Sequence, residues 1–199
     1  MNRYLLVASA AVLVLAGCNK PAPSGEAAAS SAAPAKVDAV ALAGSQPDIE
    51  ALAPATPTFI ENIGVANMFE IKAAEIAAKK AKNNDVKGFA KSTARDHAKV
   101  FDALKQAIKD AGRADLEAPT QLSEEKEAMI ADLEKVPDNL FDTMYVTQQI
   151  IVHSDAERLL SRYAAQGDVA PLKSFAGKSD KTIQSQLDKA HDIQTKMNK

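Results

Sequence analysis

From Thr58 to the C-terminus, apolar residues recur mostly every three or four positions, and long stretches of one-by-one alternation are absent. That spacing follows the 3.6-residue turn of an α-helix and leaves no half-buried strand, so the fold is expected to be all-α. The breaks divide the run. Thr58 and Glu61, just after Pro57, form a capping-box pair opening a first helix that runs to about Lys82. Asn83-Asn84 ends it, Asp85 opens a second helix as N-cap, and Gly112 closes that one. A short helix is expected over Ser123 to Lys135, after Pro119 and before Pro137. A fourth opens at Asp138 and stops at Gly167; a fifth opens at Asp168, tolerates Pro171 in its first turn and runs nearly to the end. About 140 helical and connecting residues suffice for one core.

The four long helices form two hairpins with tight turns. The segment joining the hairpins, about residues 112–137, carries a thirteen-residue helix that spans roughly 20 Å. With its loops it can travel the length of a bundle. A ferritin-like four-helix bundle with one long crossover, plus the short connecting helix, is therefore permitted, and simple up-and-down connectivity is the alternative.

Placing residues at about 100° per step shows which polar side chains share the apolar faces. In the first helix Glu70 lies at the centre of the face made by Phe59, Ile63, Ala66, Ala73, Ala74, Ala77 and Ala81. His97 occupies the same place in the second helix, among Val86, Phe89, Ala90, Thr93, Val100, Phe101, Leu104 and Ile108. Asp142, Gln149 and His153 share the face of Tyr145, Val152, Ala156, Leu160 and Tyr163, and Gln186 shares that of Leu172, Ala176, Ile183, Leu187, Ala190 and Ile193. Glu70 is thirteen residues before Asn83 and His97 thirteen after Asn84, so an antiparallel hairpin puts them at one height. His153 is fifteen residues into its helix, near the same level, whereas Asp142 is one turn in and nearer an end.

An isolated buried carboxylate costs several kcal/mol, so it becomes protonated, paired or metal-bound. One reading is a closed polar network in which Glu70 accepts from His97 and His153 and sets helix register. The other is a metal site, because Glu and His are common ligands and helical bundles build sites this way. Glu70, His97, His153, Asp142 and Gln186 are the candidate residues for either. The Glu-x-x-His order of di-iron bundles is absent from the stretches around His97 and His153. No glycine-rich phosphate loop or nucleophile elbow is present, and no cofactor motif beyond that candidate metal cluster.

The N-terminal part has a different character. Arg3 precedes a thirteen-residue small and apolar run, Tyr4 to Ala16, against roughly twenty residues needed to span a bilayer. This is the pattern of a secretory signal segment, residues 1–17. Leu15-Ala16-Gly17-Cys18 resembles a bacterial lipoprotein box, in which the cysteine thiol receives a diacylglyceryl group and becomes the mature N-terminus. Cys18 is the only cysteine in the sequence, so on this resemblance it is an anchor and not a nucleophile. Asn19 stands where an aspartate marks inner-membrane retention in enteric lipoproteins, which implies lipid anchoring at the outer membrane, facing the periplasm. Residues 18–57 hold six of the nine prolines among alanine, serine and glycine, a composition that reads as a flexible tether. The bundle domain is expected over 58–197.

The stretch from Phe59-Ile60 to Ile71 with Met68-Phe69-Glu70, then Val86-Lys87-Gly88-Phe89-Ala90, Arg95-Asp96-His97, Phe141-Asp142, Tyr145 and His153, resembles domain-of-unknown-function family 4142. The resemblance covers about residues 58–195 and implies a ferritin-like helical bundle in an exported or outer-membrane bacterial protein. It places Glu70, Asp96, His97, Asp142, Tyr145 and His153 at recurrent polar positions. Gln186-Leu187 departs from it, since the family pattern usually has a histidine before that leucine, and an amide is a poor ligand for transition metals.

Without residues 1–17 the chain carries 23 basic against 26 acidic side chains, a formal charge of −3, which offers no footprint for nucleic acid. The function first expected is a non-enzymatic module of the cell envelope, attached to the membrane by its lipid and serving partner binding or stress tolerance. The alternative is a metal-binding or redox bundle using the internal Glu/His cluster.

Overall fold

The computed structural model describes residues 52–199. The expected signal segment, Cys18 and the tether as far as residue 51 lie outside the described residues. Within them the chain is all-α: α1 (Thr56–Lys80), α2 (Asn84–Ala111), α3 (Glu124–Lys135), α4 (Phe141–Gln166) and α5 (Ala170–Met197). Strands are absent among the described residues, and no described helix is long and apolar enough to cross a membrane.

Helix ends differ from the sequence reading for local reasons. The Thr58–Glu61 capping box does not form. α1 begins two residues earlier, after Ala55, with Pro57 in its first turn where a missing N–H costs nothing. Asn83, not Asp85, caps α2, its side chain accepting from the Asp85 N–H at 2.7 Å. Gly112 closes α2 in the left-handed region at φ 64°, a conformation that favours glycine. Ser123 caps α3 by accepting from the Lys126 N–H. α4 begins at Phe141 rather than Asp138, because residues 137–140 close a turn with the Leu140 N–H donating to the Pro137 carbonyl. α5 begins at Ala170 rather than Asp168, whose side chain is engaged by Thr56 instead.

α1 packs on α2 and α4, and α5 packs on the same two, so α1 faces α5 and α2 faces α4 across the diagonals. The hairpins α1–α2 and α4–α5 are the two strongest pairings. The α4 N-terminus reaches the α1–α2 turn, where the Asp142 carboxylate accepts from the backbone N–H groups of Lys82 and Asn83. Lys196, near the α5 C-terminus, reaches Asp85 at the same end. All four neighbouring pairs are therefore antiparallel, and residues 112–140 must travel the length of the bundle. Simple up-and-down connectivity would make α2 and α4 neighbours and is not what the chain adopts.

That connection lies tightly on the bundle. Pro119 crosses α1 at Gly64, where a Cβ would come within 2.5 Å of the proline ring. α3 then covers part of the α1–α4 face with Ile130 and Leu133 buried, and Lys80 donates to the Leu133 and Glu134 carbonyls at its C-terminal end.

The core has two apolar halves. One lies toward the α1–α2 turn and contains Phe69, Phe89, Leu133, Phe141 and Tyr145 among many alanines. The other lies toward the far end and contains Phe59, Ile63, Leu104, Leu160, Tyr163 and Leu172. Each large side chain so buried contributes about 1.5–3 kcal/mol. Asn67, Glu70, Thr93, His97, Gln149, His153 and Gln186, all buried, lie between the two halves.

Candidate metal centre

Every long helix contributes to this mid-height layer from its inward stripe. α1 supplies Asn67 and Glu70, three residues apart; α2 supplies Thr93 and His97, one turn apart. α4 supplies Gln149 and His153, again one turn apart, and α5 supplies Gln186 between Ile183 and Ala190. Because α2 and α4 face each other across the diagonal, their histidines meet on the bundle axis. The rings lie 5.2 Å apart, edge to face at 85°, and the two Nε2 atoms are 3.3 Å apart.

Glu70 is 0% exposed. Its Oε2 accepts from Gln149 Nε2 at 2.6 Å, and its Oε1 lies 3.5 Å from His153 Nδ1 with no hydrogen-bond partner. Burial raises its pKa above the usual carboxylate range, against the pull of His153 and the Gln149 hydrogen bond. His97 Nδ1 faces Asn67 Oδ1 at 2.9 Å, and its Nε2 faces Gln186 Oε1 at 2.8 Å. Burial, reinforced by His153 beside it, lowers His97 to about 3, so its ring is neutral at ordinary pH. His153 Nδ1 faces the Gln149 carbonyl at 2.9 Å, and its Nε2 faces Gln186 Oε1 at 2.8 Å.

The closed network with Glu70 accepting from both histidines is therefore not the one formed. Glu70 bonds to Gln149, and His97 is held by Asn67 and Gln186. The layer is also incompletely paired: Glu70 Oε1, Gln149 Oε1, Gln186 Nε2, the Thr93 hydroxyl and the Tyr145 hydroxyl are buried without a partner. Tyr145 lies beside Glu70 and Thr93, and burial pushes its phenol well above the usual range.

Of the five candidate residues, four come together here and Asp142 does not. Its carboxylate lies at the end of the bundle, accepting from the α1–α2 turn, because its inward direction at that height meets backbone N–H groups instead of side chains. Asp96 also stands apart, paired with Arg95 at 3.0 Å and Lys99 at 3.8 Å on the rim, with the Arg95 hydrogen bond holding its carboxyl below the usual range. Asn67 was missed by the sequence reading, although it lies three residues before Glu70 on the same stripe. Gln149 was seen on its face but not assigned to the cluster.

Glu70, His97 and His153 each offer a ligand atom within 4.8 Å of the others, and all three are buried. They form a cluster able to hold a metal ion: a carboxylate with one unpaired oxygen and two imidazoles, one of them held neutral by burial. No curated protein and no solved structure matches the chain. A family model described as "Domain of unknown function (DUF4142)" matches residues 26–193, starting well before the first described helix and ending in the last turns of α5. With more than half its length matched, the chain belongs to the DUF4142 family.

Proposed function

We propose that this protein is a metal-binding, ferritin-like bundle holding one divalent first-row cation at mid-height, lipid-anchored through Cys18 at the outer membrane. One observation carries the metal reading: three ligand-type side chains from three helices converge within 4.8 Å in a fully buried layer. Burial of this kind costs several kcal/mol unless a partner offsets it, and a divalent cation is the partner that two imidazoles and a carboxylate suit. The ferritin-like assignment is supported by two antiparallel hairpins joined by one lengthwise crossover. The envelope module expected first from the sequence gives this layer no role, which is why the metal reading is preferred.

Elemental analysis after loading with Mn²⁺, Fe²⁺, Co²⁺ or Zn²⁺ tests it. Wild type is expected to retain one equivalent of at least one of these ions, and His97→Ala and His153→Ala to lose it. No stoichiometric metal, or equal uptake by both variants, overturns the reading. The anchor is supported by Leu15-Ala16-Gly17-Cys18 and the apolar run before it. Cys18→Ser is expected to move the protein from the membrane to the soluble fraction, and unchanged partition overturns that part.

A further inference from the structure

The hydrogen bonds of the layer assign its protons, and the protons assign its ligands. Asn67 Nδ2 donates to the Ile63 carbonyl at 2.7 Å, which leaves Asn67 Oδ1 as the acceptor facing His97 Nδ1. The His97 proton is therefore on Nδ1. His153 Nδ1 faces the Gln149 backbone carbonyl, which can only accept, so His153 Nδ1 carries a proton too. With Nδ1 so engaged, each ring turns its Nε2 toward the bundle axis, the atom through which it would bind a cation. Those two nitrogens lie 3.3 Å apart, and each is 2.8 Å from Gln186 Oε1, a further lone-pair atom. The three atoms form a compact triangle able to turn three lone pairs on one cation.

We propose that the cation binds on His97 Nε2, His153 Nε2 and Gln186 Oε1, and that Glu70 stands behind His153 as an outer carboxylate instead of ligating. The inference rests on the metal reading above and sharpens it. A first-row cation about 2.05 Å from all three atoms fits their spacing, sitting about 1.1 Å off their plane. At that distance the two imidazole nitrogens, 3.3 Å apart, subtend about 107° at the metal, and each nitrogen with the amide oxygen, 2.8 Å apart, about 86°. Gln186 is placed with Oε1 toward the axis and Nε2 buried without a partner; the amide turned over would donate to both ring nitrogens in the metal-free protein, and a bound cation selects the oxygen.

Glu70 occupies a different place. Its Oε1 is 3.5 Å from His153 Nδ1, the nitrogen on the other side of that ring from the cation, and its Oε2 is held by Gln149 Nε2. The Gln149 carbonyl takes the Nδ1 proton and orients the ring, and Glu70 stands beside the same nitrogen without a hydrogen bond. Gln149 serves both, donating to Glu70 from its side chain and accepting from His153 at its backbone carbonyl. The two imidazoles point to a borderline divalent ion such as Co²⁺, Fe²⁺ or Zn²⁺ and away from soft Cu⁺, and the amide oxygen, a weak ligand for such ions, is the weakest of the three bonds.

Co²⁺ titration with visible absorption, which reports the cobalt ligand set, separates the roles. Circular dichroism confirms that each variant is folded. Glu70→Gln is expected to keep one equivalent and the wild-type spectrum, with Kd weakened about 10–100-fold. Gln186→Leu is expected to change the spectrum and weaken binding more than Glu70→Gln does. Gln186→Glu, which places a charge on the proposed ligand position, is expected to tighten it at least tenfold. If Glu70→Gln loses the equivalent while Gln186→Leu keeps the wild-type spectrum, Glu70 is the third ligand; the assignment falls and the metal reading stands. If neither wild type nor Gln186→Glu binds Co²⁺ or any of the loaded ions, the metal reading itself falls.

Discussion

At the far end of the bundle, the Thr56 and Tyr163 hydroxyls and the Asp168 carboxylate bond to one another, each donor with an acceptor and the carboxylate open to solvent. At mid-height, Glu70, His97, Gln149, His153 and Gln186 also touch one another, yet several polar atoms have no partner. Both clusters tie helices distant in sequence. The difference is in pairing: the end cluster has enough protons for its acceptors, whereas the middle layer, with Gln186 Oε1 toward the axis, leaves Glu70 Oε1, Gln149 Oε1 and Gln186 Nε2 unpaired. A closed cluster serves packing; one with unpaired acceptors has room for a further proton donor or a cation.

Acid should separate the two most widely. Unfolded, His97 takes a proton near 6.5, whereas folded it stays neutral down to about 3. Below pH 6.5 the unfolded chain therefore binds the extra proton, and stability falls with pH. A gap of that size is worth on the order of 5 kcal/mol. Glu70 acts with the opposite sign. Its folded carboxyl protonates above the ordinary 4.5, so its contribution to stability grows as pH falls toward 4.5 and is complete below it. Metal-free wild type should lose less stability between pH 6.5 and 4.5 than His97 alone would cost, and lose it without that offset between 4.5 and 3. In Glu70→Gln the loss should begin at 6.5. Asp168, held low first by the Thr56 hydroxyl, gives up its contribution only below 3.8. Denaturant titrations in chelator across this range check the profile; superimposable wild-type and Glu70→Gln curves would break the contrast.

Cation binding gives the next largest effect. An ion at about a hundred times its Kd adds about 2.7 kcal/mol to a folded state that alone binds it. Melting with and without Co²⁺ should show that increment in wild type and in Tyr163→Phe, whose hydroxyl belongs to the closed cluster, and none in His97→Ala. An increment that survives in His97→Ala, or disappears in Tyr163→Phe, would mean that the two clusters are not functionally distinct.

The height of the layer was legible in the sequence, because a tight turn at Asn83 makes equal residue counts equal distances along antiparallel helices. The pairing within it was not. Which atom faces which depends on how four helices are arranged around the axis, and the sequence left the connectivity open between crossover and up-and-down. Only the crossover puts α2 opposite α4, brings the two Nε2 atoms together, and leaves Glu70 to Gln149. Asp142 shows the same limit. Its inward direction was read from periodicity, but the backbone N–H groups of the next turn that it meets carry no residue signature. The Thr58–Glu61 box failed for a related reason: helix α1 extends to Thr56, whose hydroxyl belongs to a tertiary cluster with residues more than a hundred positions away.

Two tyrosine variants give the smallest and sharpest comparison. Tyr163→Phe keeps the ring stacked on Phe59, at 3.8 Å between centroids and 12° between planes, and removes only the hydroxyl. Thr56 still donates to Asp168, so the cost should be that of one hydrogen bond, about 1 kcal/mol. Tyr145→Phe removes a hydroxyl buried beside Glu70; Thr93 is near enough to interact with it but too poorly placed to pair it. Deleting an unpaired buried polar atom relieves its desolvation, so stability should hold or rise by up to about 1 kcal/mol. Opposite signs from one chemical change on one helix follow only if the end cluster is closed and the middle layer is not. Equal losses from both variants would show that Tyr145 is paired in solution, and the incomplete pairing would then be confined to Glu70, Gln149 and Gln186.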